Sequence, residues 1–357
     1  MKYYFFIGTE AELIKLLPVL QEFENKKINF KIISSGQNDI KKSSLFKFLN
    51  KKSPDIYLNE EQINQNIFSY LVWFFKTLVI GYFKLRKEIN KNNILIVHGD
   101  TLSTVMGAVI GRLYGMKVAH VEAGLRSYDF LHPFPEEINR YIVSHLSDIH
   151  FAPNLWALNN LKKIKGQKIN TLQNTLIENT FFALSKKKAN KYGDYFLAVI
   201  HRQENIYNKE LFSSLINEII TQSKNMKCVF LIHASTKNEL IKDNLYKKLS
   251  SSKNIILLER QDYFDFVNLI NSAKFLLSDG GSNQEEAYYM GKPCLILRNV
   301  TERVEGLNEN AVLFHNNIDS IPNFVKNYKK YEKKKVGLKS KPSKLIVNFL
   351  TSQNIDK

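Results

Sequence analysis

Short apolar runs alternate along the chain with stretches that have helical periodicity. The runs of the first half are Tyr3–Ile7, Phe30–Ser34, Ile94–Val97, Lys117–Val121 and Ile149–Phe151. Uninterrupted apolar runs of this length are typical of parallel strands that are buried on both faces. A helical pattern over Glu12–Leu20 follows the first run, so the first half is predicted to consist of alternating strands and helices.

The same alternation restarts in the second half of the chain. Its runs are Tyr195–Ile200, Cys228–Ile232, Ile255–Leu258, Phe275–Leu277, Cys294–Leu297 and Ala311–Phe314. This pattern predicts an α/β fold with helices on both faces of parallel sheets. We therefore expect two doubly wound, Rossmann-like domains facing each other across a cleft, at residues 1–170 and 171–345, and a C-terminal helix and tail at 346–357. The connection is expected near residues 165–190, where lysine and asparagine are frequent.

One predicted helix, Ile67–Phe83, is more apolar than an ordinary surface helix. Its periodicity predicts a core-facing side formed by Phe68, Leu71, Val72, Phe75, Leu78, Val79 and Tyr82. Other large side chains are then left outside that face: Trp73, Phe74, Ile80 and Phe83. The run is shorter than the roughly 20 residues that span a bilayer. It is followed by the basic residues Lys84, Arg86 and Lys87.

Three interpretations of the segment Ile67–Phe83 are open. A dimer interface with a second copy of the chain buries an apolar helix face. An apolar helix beside basic residues also suits a peripheral contact with an anionic membrane surface. The third interpretation is an ordinary core helix.

The length and charge of the chain narrow the classes of protein to consider. A chain of 357 residues is long enough for two domains of ordinary size. It has 51 Lys and Arg against 34 Asp and Glu, a formal charge of +17. Most of the excess is lysine scattered along the sequence, and we find no RNP-type motif, zinc-finger spacing or arginine-rich arm. Nucleic acid is therefore not expected as a partner.

The two cysteines predict a reducing environment. Cys228 and Cys294 each lie inside an apolar run, where buried free thiols are expected rather than a disulfide. The N-terminal run Tyr3–Ile7 is too short for the apolar region of a signal peptide. We therefore expect a cytoplasmic protein.

Carboxylates and histidines follow the predicted strands of the first half. They occur in three motifs: His98-Gly-Asp-Thr101, His120-Val-Glu-Ala-Gly-Leu-Arg126 and Pro133-Phe-Pro-Glu-Glu-Ile-Asn-Arg140. Open α/β sheets bind ligands beyond the carboxyl ends of their strands. Several carboxylates collected there suit proton transfer at a poorly acidic carbon, where a base and an acid must flank one substrate. The alternative for any one of them is that it caps a helix or pairs with an arginine.

Three polar motifs follow predicted strands in the second half. They are His201-Arg-Gln-Glu-Asn205, Ser278-Asp-Gly-Gly-Ser-Asn-Gln-Glu-Glu286 and Arg298-Asn-Val-Thr-Glu-Arg-Val-Glu305. The first is a candidate acid–base or phosphate-binding group. The second combines a strand, small residues and a helix start, the arrangement in which backbone N–H groups hold a phosphate. The third is either a basic contact to a diphosphate or a salt-bridged surface loop.

These motifs, in this order, resemble the non-hydrolysing UDP-N-acetylglucosamine 2-epimerase family. The similarity runs from Gly8-Thr9 to about Phe314 and implies the two-domain glycosyltransferase-B fold. It also implies anti elimination of UDP across C1–C2 of a UDP-sugar, followed by re-addition with the configuration at C2 inverted. By the same resemblance, neither a metal nor another cofactor is required.

The resemblance also implies roles for individual residues. The positions that match the catalytic residues of the family are Lys15, Asp100, Glu122, Glu136 and His201. The positions expected to contact the sugar nucleotide are Arg126, Arg202, His233, Gly280, Gly281, Ser282, Glu286 and Arg303. Within this set the small-residue turn is expected to hold phosphate, and Glu286 is expected to accept the ribose hydroxyls.

Three departures from the family pattern affect positions that face the substrate. Glu10 stands where the family has arginine, Asn38 stands where it has histidine, and the turn Gly280-Gly281-Ser282 replaces Ser-Gly-Gly. A second interpretation is therefore a membrane-associated glycosyltransferase of the same fold, acting on a nucleotide sugar and a lipid-linked acceptor. The set of acids argues for epimerisation, because glycosyl transfer has less need for three carboxylates and His201 around one sugar ring.

Overall fold

The computed structural model of the protein describes residues 1–60, 67–130, 132–186 and 188–353. The chain forms two compact units. Unit 1 comprises Met1–Asn179 and Leu338–Lys357, and unit 2 comprises Thr180–Gly337. Each unit is built around its own parallel sheet with helices on both faces, as the alternating pattern predicts.

The described part of unit 1 contains a seven-stranded sheet in the order β3-β2-β1-β4-β5-β6-β7. All neighbouring strands pair in parallel. The strands are β1 (Tyr3–Ile7), β2 (Phe30–Ser34), β3 (Ile56–Tyr57), β4 (Ile94–His98), β5 (Lys117–Val121), β6 (Ile149–Ala152) and β7 (Gln167–Asn170). The helices up to the unit boundary are α1 (Glu10–Asn25), α2 (Ile67–Leu85), α3 (Leu102–Leu113), α4 (Glu136–Leu146), α5 (Leu155–Asn160) and α6 (Leu176–Ser185).

The described part of unit 2 contains a six-stranded parallel sheet in the order β10-β9-β8-β11-β12-β13. Its strands are β8 (Tyr195–Val199), β9 (Lys227–Ile232), β10 (Ile255–Glu259), β11 (Leu276–Ser278), β12 (Cys294–Ile296) and β13 (Ala311–Leu313). Its helices are α7 (Gln203–Ile206), α8 (Lys209–Ser223), α9 (Ala234–Lys242), α10 (Leu245–Ser250), α11 (Tyr263–Ser272), α12 (Gly281–Met290) and α13 (Ser320–Asn327). Cys228 and Cys294 are buried free thiols of this sheet, as expected.

The chain returns to unit 1 in its last helix, α14 (Pro342–Ser352). The hydroxyl of Tyr3 donates to the backbone carbonyl of Leu350 at 3.2 Å, and the hydroxyl of Ser343 donates to Glu178 at 2.7 Å. The chain passes from unit 1 to unit 2 between residues 179 and 180 and returns to unit 1 between residues 337 and 338. The limits expected from the sequence are residues 170 and 345. Residues 354–357 of the expected tail lie outside the described residues.

Helix α2 buries a different face from the one expected, and that part of the prediction is wrong. Trp73 and Thr77 are buried, and Gly81 packs where a Cβ atom would lie 2.9 Å from Ile110. The face predicted to be buried is exposed at Leu71, Val72, Phe75, Val79 and Tyr82. The helix is apolar on most of its circumference, so periodicity could not identify the side that packs. The side chain of Phe68 lies outside what the structure describes.

In each sheet, polar residues follow the carboxyl ends of the central strands, and this end of the sheet is called its polar edge below. The direction of winding reverses between β1 and β4 in the first sheet and between β8 and β11 in the second. Open α/β sheets bind ligands beyond the carboxyl ends of their strands at such a reversal. The residues that follow these strands are therefore the place to look for a site in each unit.

Candidate active site

A buried ion pair joins Lys15 of α1 to Glu122, which follows β5. The ammonium donates to the two carboxylate oxygens at 2.8 and 2.9 Å. The two side chains are 8% and 3% exposed. Removing one partner of such a pair leaves an uncompensated buried charge. The two buried charges therefore compensate each other.

Two further side chains surround the carboxylate of Glu122. The amide of Asn174 donates to its Oε2 atom, and Nε2 of His98 lies 4.0 Å from the same oxygen. The backbone of Glu122 has a φ of 65°. This left-handed conformation is uncommon for residues other than glycine, and such residues cluster at functional sites. The carboxylate is therefore fixed in position by contacts from three elements.

Asp100 follows the neighbouring strand, β4. The guanidinium of Arg140 donates to its carboxylate, and the amide of Asn139 donates to its backbone carbonyl at 2.8 Å. Both partners lie on α4. The side chain of Asp100 remains 24% exposed, so its carboxylate is oriented but accessible.

The two adjacent glutamates at the start of α4 have different surroundings. Glu137 is fully buried. Its carboxylate accepts hydrogen bonds from Arg126, Arg140 and the backbone N–H of Ser127. Glu136 is half-buried and is the first residue of the helix. Glu137 therefore anchors the loop before α4, and Glu136 is the more accessible of the two. Arg126, predicted to contact substrate, is engaged with Glu137.

Glu12, which the sequence analysis did not single out, connects two loops at this edge. One of its carboxylate oxygens accepts from the backbone N–H of Thr9 at 2.7 Å. The other accepts from the hydroxyls of Thr101 and Thr104 at 2.7 and 3.0 Å. Burial raises the pKa of Glu12, and these hydrogen bonds oppose that rise. Glu12 therefore fixes the loop that carries Asp100.

Two of the departures from the family pattern take part in local hydrogen bonds. Glu10 lies in the first turn of α1, where a carboxylate interacts favourably with the helix dipole, and it accepts from the hydroxyl of Ser43 at 3.0 Å. Asn38 is exposed. Its backbone N–H donates to the carbonyl of Gly8 at 2.8 Å, and its amide donates to the carbonyl of Gln37 at 3.1 Å. Both side chains are therefore compatible with the local backbone.

His98 and His120 are almost fully buried at the same edge. Burial lowers the pKa of His98 to about 3 and the pKa of His120 to about 4. Nε2 of His120 is paired with the carbonyl oxygen of Gly99 at 2.7 Å. Both rings are therefore neutral in the folded protein near neutral pH.

Acidification is expected to destabilise unit 1 through these two histidines. Below pH 6.5 the unfolded chain takes up protons that the folded chain does not, so the free energy of unfolding falls as the pH decreases. Between pH 7 and pH 4.5 each ring contributes a loss of about 2.5 kcal/mol. Urea unfolding followed by tryptophan fluorescence is the measurement, because Trp73 and Trp156 both lie in unit 1.

The variant His98→Gln should reduce the pH dependence of the free energy of unfolding by the contribution of the His98 ring. His132→Gln is the matched control, because the side chain of His132 is 55% exposed, and it should leave the dependence unchanged. Equal pH dependence in wild type and His98→Gln would show that His98 is not buried as a neutral ring.

The polar edge of unit 2 contains His201, which follows β8, and Asp279, which follows β11. Nδ1 of His201 lies 2.9 Å from Oδ1 of Asp279. Asp279 is fully buried and also accepts from the backbone N–H of Arg202 at 2.9 Å and from the amide of Asn205 at 3.0 Å. Burial alone would raise the pKa of Asp279, but these partners lower it to about 2. Asp279 is therefore a carboxylate under all ordinary conditions.

His233 packs on His201. The rings stack with their centroids 4.7 Å apart and an angle of 19° between their planes. Burial lowers the pKa of His233 to about 4, and the neighbouring His201 acts in the same direction. His233, predicted to contact substrate, therefore covers one face of the His201 ring.

The turn after β11 has the predicted strand, small residues and helix start. Gly280 is the N-cap of α12. The hydroxyl of Ser278 accepts from the backbone N–H of Gly280 at 3.2 Å and from the amide of Asn283 at 2.8 Å. Ser282 is half-buried in the first turn. The first N–H groups of a helix lack intrahelical partners, so this turn suits a phosphate group.

A buried cluster of charged side chains lies beside the turn. Arg303 donates to Glu285, and its Nε atom lies 3.8 Å from Glu302. A Cβ atom on Gly281 would lie 2.7 Å from Glu302, so this close approach requires glycine. Glu286 is 2% exposed. Arg303 and Gly281, which were both predicted to contact the nucleotide, therefore lie beside the carboxylate of Glu302, and Glu286 is a buried residue of the helix that begins at Gly281.

Three charged side chains of the loop after β12 are buried, namely Arg298, Glu302 and Arg303. Arg298 donates to Glu204 at 3.3 Å and to Glu302 at 3.0 Å. Both arginines of this segment are therefore salt-bridged, as in one of the two alternatives, but inside the unit and not at its surface.

The predicted residues thus fall into two groups, one in each unit. Lys15, Asp100, Glu122 and Glu136 lie on elements that meet at the edge of the first sheet, and His201, His233 and the Gly280–Ser282 turn lie at the edge of the second. Sequence reasoning missed Asn174, Glu137 and Asp279 as supporting residues. Asp279 carried a detectable signal, because it lies two residues after the predicted strand Phe275–Leu277.

These features define an α/β enzyme with the glycosyltransferase-B type of fold. A sequence model described as UDP-N-acetylglucosamine 2-epimerase matches residues 21–345. The UDP-N-acetylglucosamine 2-epimerase of Methanocaldococcus jannaschii is 34% identical over 330 residues, which cover 87% of each chain. The enzyme of that name from Methanococcus maripaludis is 34% identical over 324 residues, 85% of each chain.

Solved structures give the same result. The crystal structure of the Methanocaldococcus jannaschii enzyme in complex with UDP-GlcNAc and UDP has a TM-score of 0.87 at 33% identity, covering 99% of this chain and 100% of that one. The Neisseria meningitidis enzyme bound to UDP-GlcNAc has a TM-score of 0.83 at 28% identity, covering 99% and 100%. The chain belongs to the UDP-N-acetylglucosamine 2-epimerase family, whose members are isomerases.

No described helix is both long and apolar enough to cross a membrane. Within the same residues, no three His, Cys, Asp or Glu side chains are grouped so that they could hold a metal ion.

Proposed function

We propose that this protein inverts the configuration at C2 of a UDP-N-acetylhexosamine, interconverting UDP-N-acetylglucosamine and UDP-N-acetylmannosamine. UDP is eliminated across C1–C2 to give a 2-acetamidoglucal and then adds back after protonation of the opposite face. The observation that carries the proposal is the buried Lys15–Glu122 pair beside Asp100 and Glu136. Membership of the epimerase family supports it independently.

The reaction explains why unit 1 needs several carboxylates. The C2 proton is not acidified by an adjacent carbonyl, so its removal requires a fixed base in a site of low polarity. Re-protonation from the other face requires a second group, because one carboxylate reaches only one side of the ring. Glu122, Asp100 and Glu136 are the candidates, and Glu122 and Asp100 are paired with different cations, Lys15 and Arg140.

Unit 2 is proposed to bind the UDP moiety and to provide His201. The Gly280–Ser282 turn offers backbone N–H groups at the start of α12 to the diphosphate. Glu286 is assigned to the ribose hydroxyls, and Arg202 and Arg303 are assigned to the charge of the diphosphate. His201 is assigned to proton transfer.

Incubation with UDP-N-acetylglucosamine, followed by proton NMR, tests the proposed reaction. UDP-N-acetylmannosamine should accumulate to a fixed ratio of the two sugars, approached from either side. Release of UDP and free sugar, or turnover that starts only when a lipid-linked acceptor is added, would contradict epimerisation. The second outcome would favour the glycosyltransferase alternative.

We further propose that the reaction takes place in the cytoplasm and supplies a precursor for surface polysaccharides.

We also propose that the exposed apolar face of α2 pairs with a second copy of the chain. Leu71, Val72, Phe75 and Val79 form this face, and Phe75 is 62% exposed. Contiguous apolar surface of this kind marks an interaction site. Closed pairs are the commonest assembly of soluble chains, so a homodimer is the partner that we favour over a membrane.

The double variant Phe75→Glu with Val79→Glu should sediment as a monomer at concentrations where the wild type is a dimer. Lys87→Glu, on an exposed residue just beyond the same helix, is the control and should remain dimeric. A wild type that is monomeric and co-sediments with vesicles containing phosphatidylserine would contradict the dimer and favour the membrane contact.

A further inference from the structure

The imidazole of His201 is held on two sides by groups of unit 2. Nδ1 of His201 lies 2.9 Å from the Asp279 carboxylate, and His233 covers one ring face. A Cβ atom added to Gly280 would lie 3.2 Å from Cε1 of His201, so glycine at this position leaves room for the ring. The contacts with Asp279 and His233 orient the ring through one nitrogen and one face.

Asp279 is itself unable to move or to change its charge easily. It is fully buried, and its two oxygens accept from the backbone N–H groups of His201 and Arg202 and from the amide of Asn205. The same amide of Asn205 donates to the carbonyl of Leu297 at 2.9 Å. The carboxylate thus connects the ends of β8 and β11 at the reversal of the sheet.

A buried carboxylate can only accept hydrogen bonds, so the nitrogen of a histidine that faces it must carry a hydrogen. The partner of one ring nitrogen therefore decides which nitrogen remains for chemistry. In His201 the nitrogen that faces Asp279 is Nδ1, which leaves Nε2 to gain or lose a proton.

We propose that Asp279 is a positioning residue that fixes the tautomer and orientation of His201, so that Nε2 is the nitrogen that exchanges a proton during epimerisation. The expected effect on kcat rests on the proposed function, whereas the expected tautomer of His201 does not. Asp279 touches neither sugar nor nucleotide in this scheme and acts through His201 alone.

The tautomer can be measured without any substrate. Nitrogen-15 NMR of the wild-type protein, with the His201 signals assigned by their loss in His201→Gln and recorded at a pH where the ring is uncharged, should show a hydrogen on Nδ1 and a free lone pair on Nε2. In Asp279→Asn the ring should shift toward a mixture of the two tautomers. A wild-type ring protonated on Nε2 with a free lone pair on Nδ1 would overturn the proposal, even if Asp279→Asn failed to fold.

Kinetics separate a positioning role from a purely structural one. Asp279→Asn should lower kcat by about 100-fold, because a wrong tautomer removes most of the contribution of a catalytic histidine, while KM changes by less than about 3-fold. Asn205→Ala is the matched control, since it removes another partner of Asp279 but leaves the Nδ1 contact intact, and it should keep the wild-type tautomer. Equal loss of kcat in both variants with the tautomer unchanged would contradict the proposal. A correct tautomer in a protein that does not epimerise would instead contradict the proposed function.

Discussion

The variant Glu122→Gln is expected to lower kcat for epimerisation by at least about 100-fold, the usual contribution of a positioned acid or base. Glutamine has nearly the same shape as glutamate and can keep a hydrogen bond to Asn174. It cannot take up a proton, and it leaves the ammonium of Lys15 without its carboxylate in a buried site. The measurement is the initial rate of interconversion of the two UDP-sugars.

A surface ion pair in the same unit provides the matched control. Lys31 and Glu88 pair at 2.5 Å, but both side chains are 40% exposed. Glu88→Gln makes the same chemical change and should leave kcat within about 2-fold of wild type, because exposed pairs contribute little. Near-normal turnover of a folded Glu122→Gln protein would remove Glu122 from the chemistry, and tryptophan fluorescence would establish that it is folded.

Changing each of the adjacent residues Glu136 and Glu137 to glutamine is expected to have a different effect: the change at Glu136 lowers kcat, and the change at Glu137 lowers the stability of unit 1. Glu137→Gln should destabilise unit 1 by about 3–5 kcal/mol, since it breaks a buried ion pair: Arg126 loses the Glu137 carboxylate, and Arg140 keeps Asp100 as its acidic partner. Arg140 is 4% exposed and Glu137 is 0% exposed. Glu136→Gln should leave stability within about 1 kcal/mol and lower kcat by at least about 100-fold, because Glu136 is proposed to exchange a proton with substrate.

Urea unfolding and initial rates on the two variants form one experiment with an internal control. The two changes are chemically identical and one residue apart, so a general effect of the substitution would appear in both. A Glu136→Gln protein with normal turnover would show that the motif was assigned to the wrong role. A Glu137→Gln protein with unchanged stability would show that the buried ion pairs contribute little.

The central strands of the sheets could be predicted, because a strand that is buried on both faces has an uninterrupted apolar sequence. Runs such as Ile94–Val97 and Cys228–Ile232 are apolar without interruption, and the structure has strands at both. The short edge strands Ile56–Tyr57 and Gln167–Asn170 were missed. They are only partly buried, so polar residues interrupt their pattern.

The supporting residues of the site could not be predicted, because their roles depend on contacts between distant segments. Asn174 meets Glu122 across 52 positions and Asp279 meets His201 across 78. The sequence alone also could not separate Glu136 from Glu137, since two partners of Glu137, Arg126 and Ser127, lie 11 and 10 positions earlier in the chain. The face that α2 buries depends in the same way on its neighbours in the fold and not on its own periodicity.

The most direct measurement follows the C2 proton of UDP-N-acetylglucosamine in D₂O by NMR. Epimerisation by elimination predicts that the wild-type protein replaces this proton with deuterium as UDP-N-acetylmannosamine appears, and that Glu122→Gln does so at least about 100-fold more slowly. Both sugars should carry deuterium at C2 when their ratio becomes constant. Turnover in which the C2 proton is retained, whether it yields free UDP or a glycosylated acceptor, would contradict the proposed reaction.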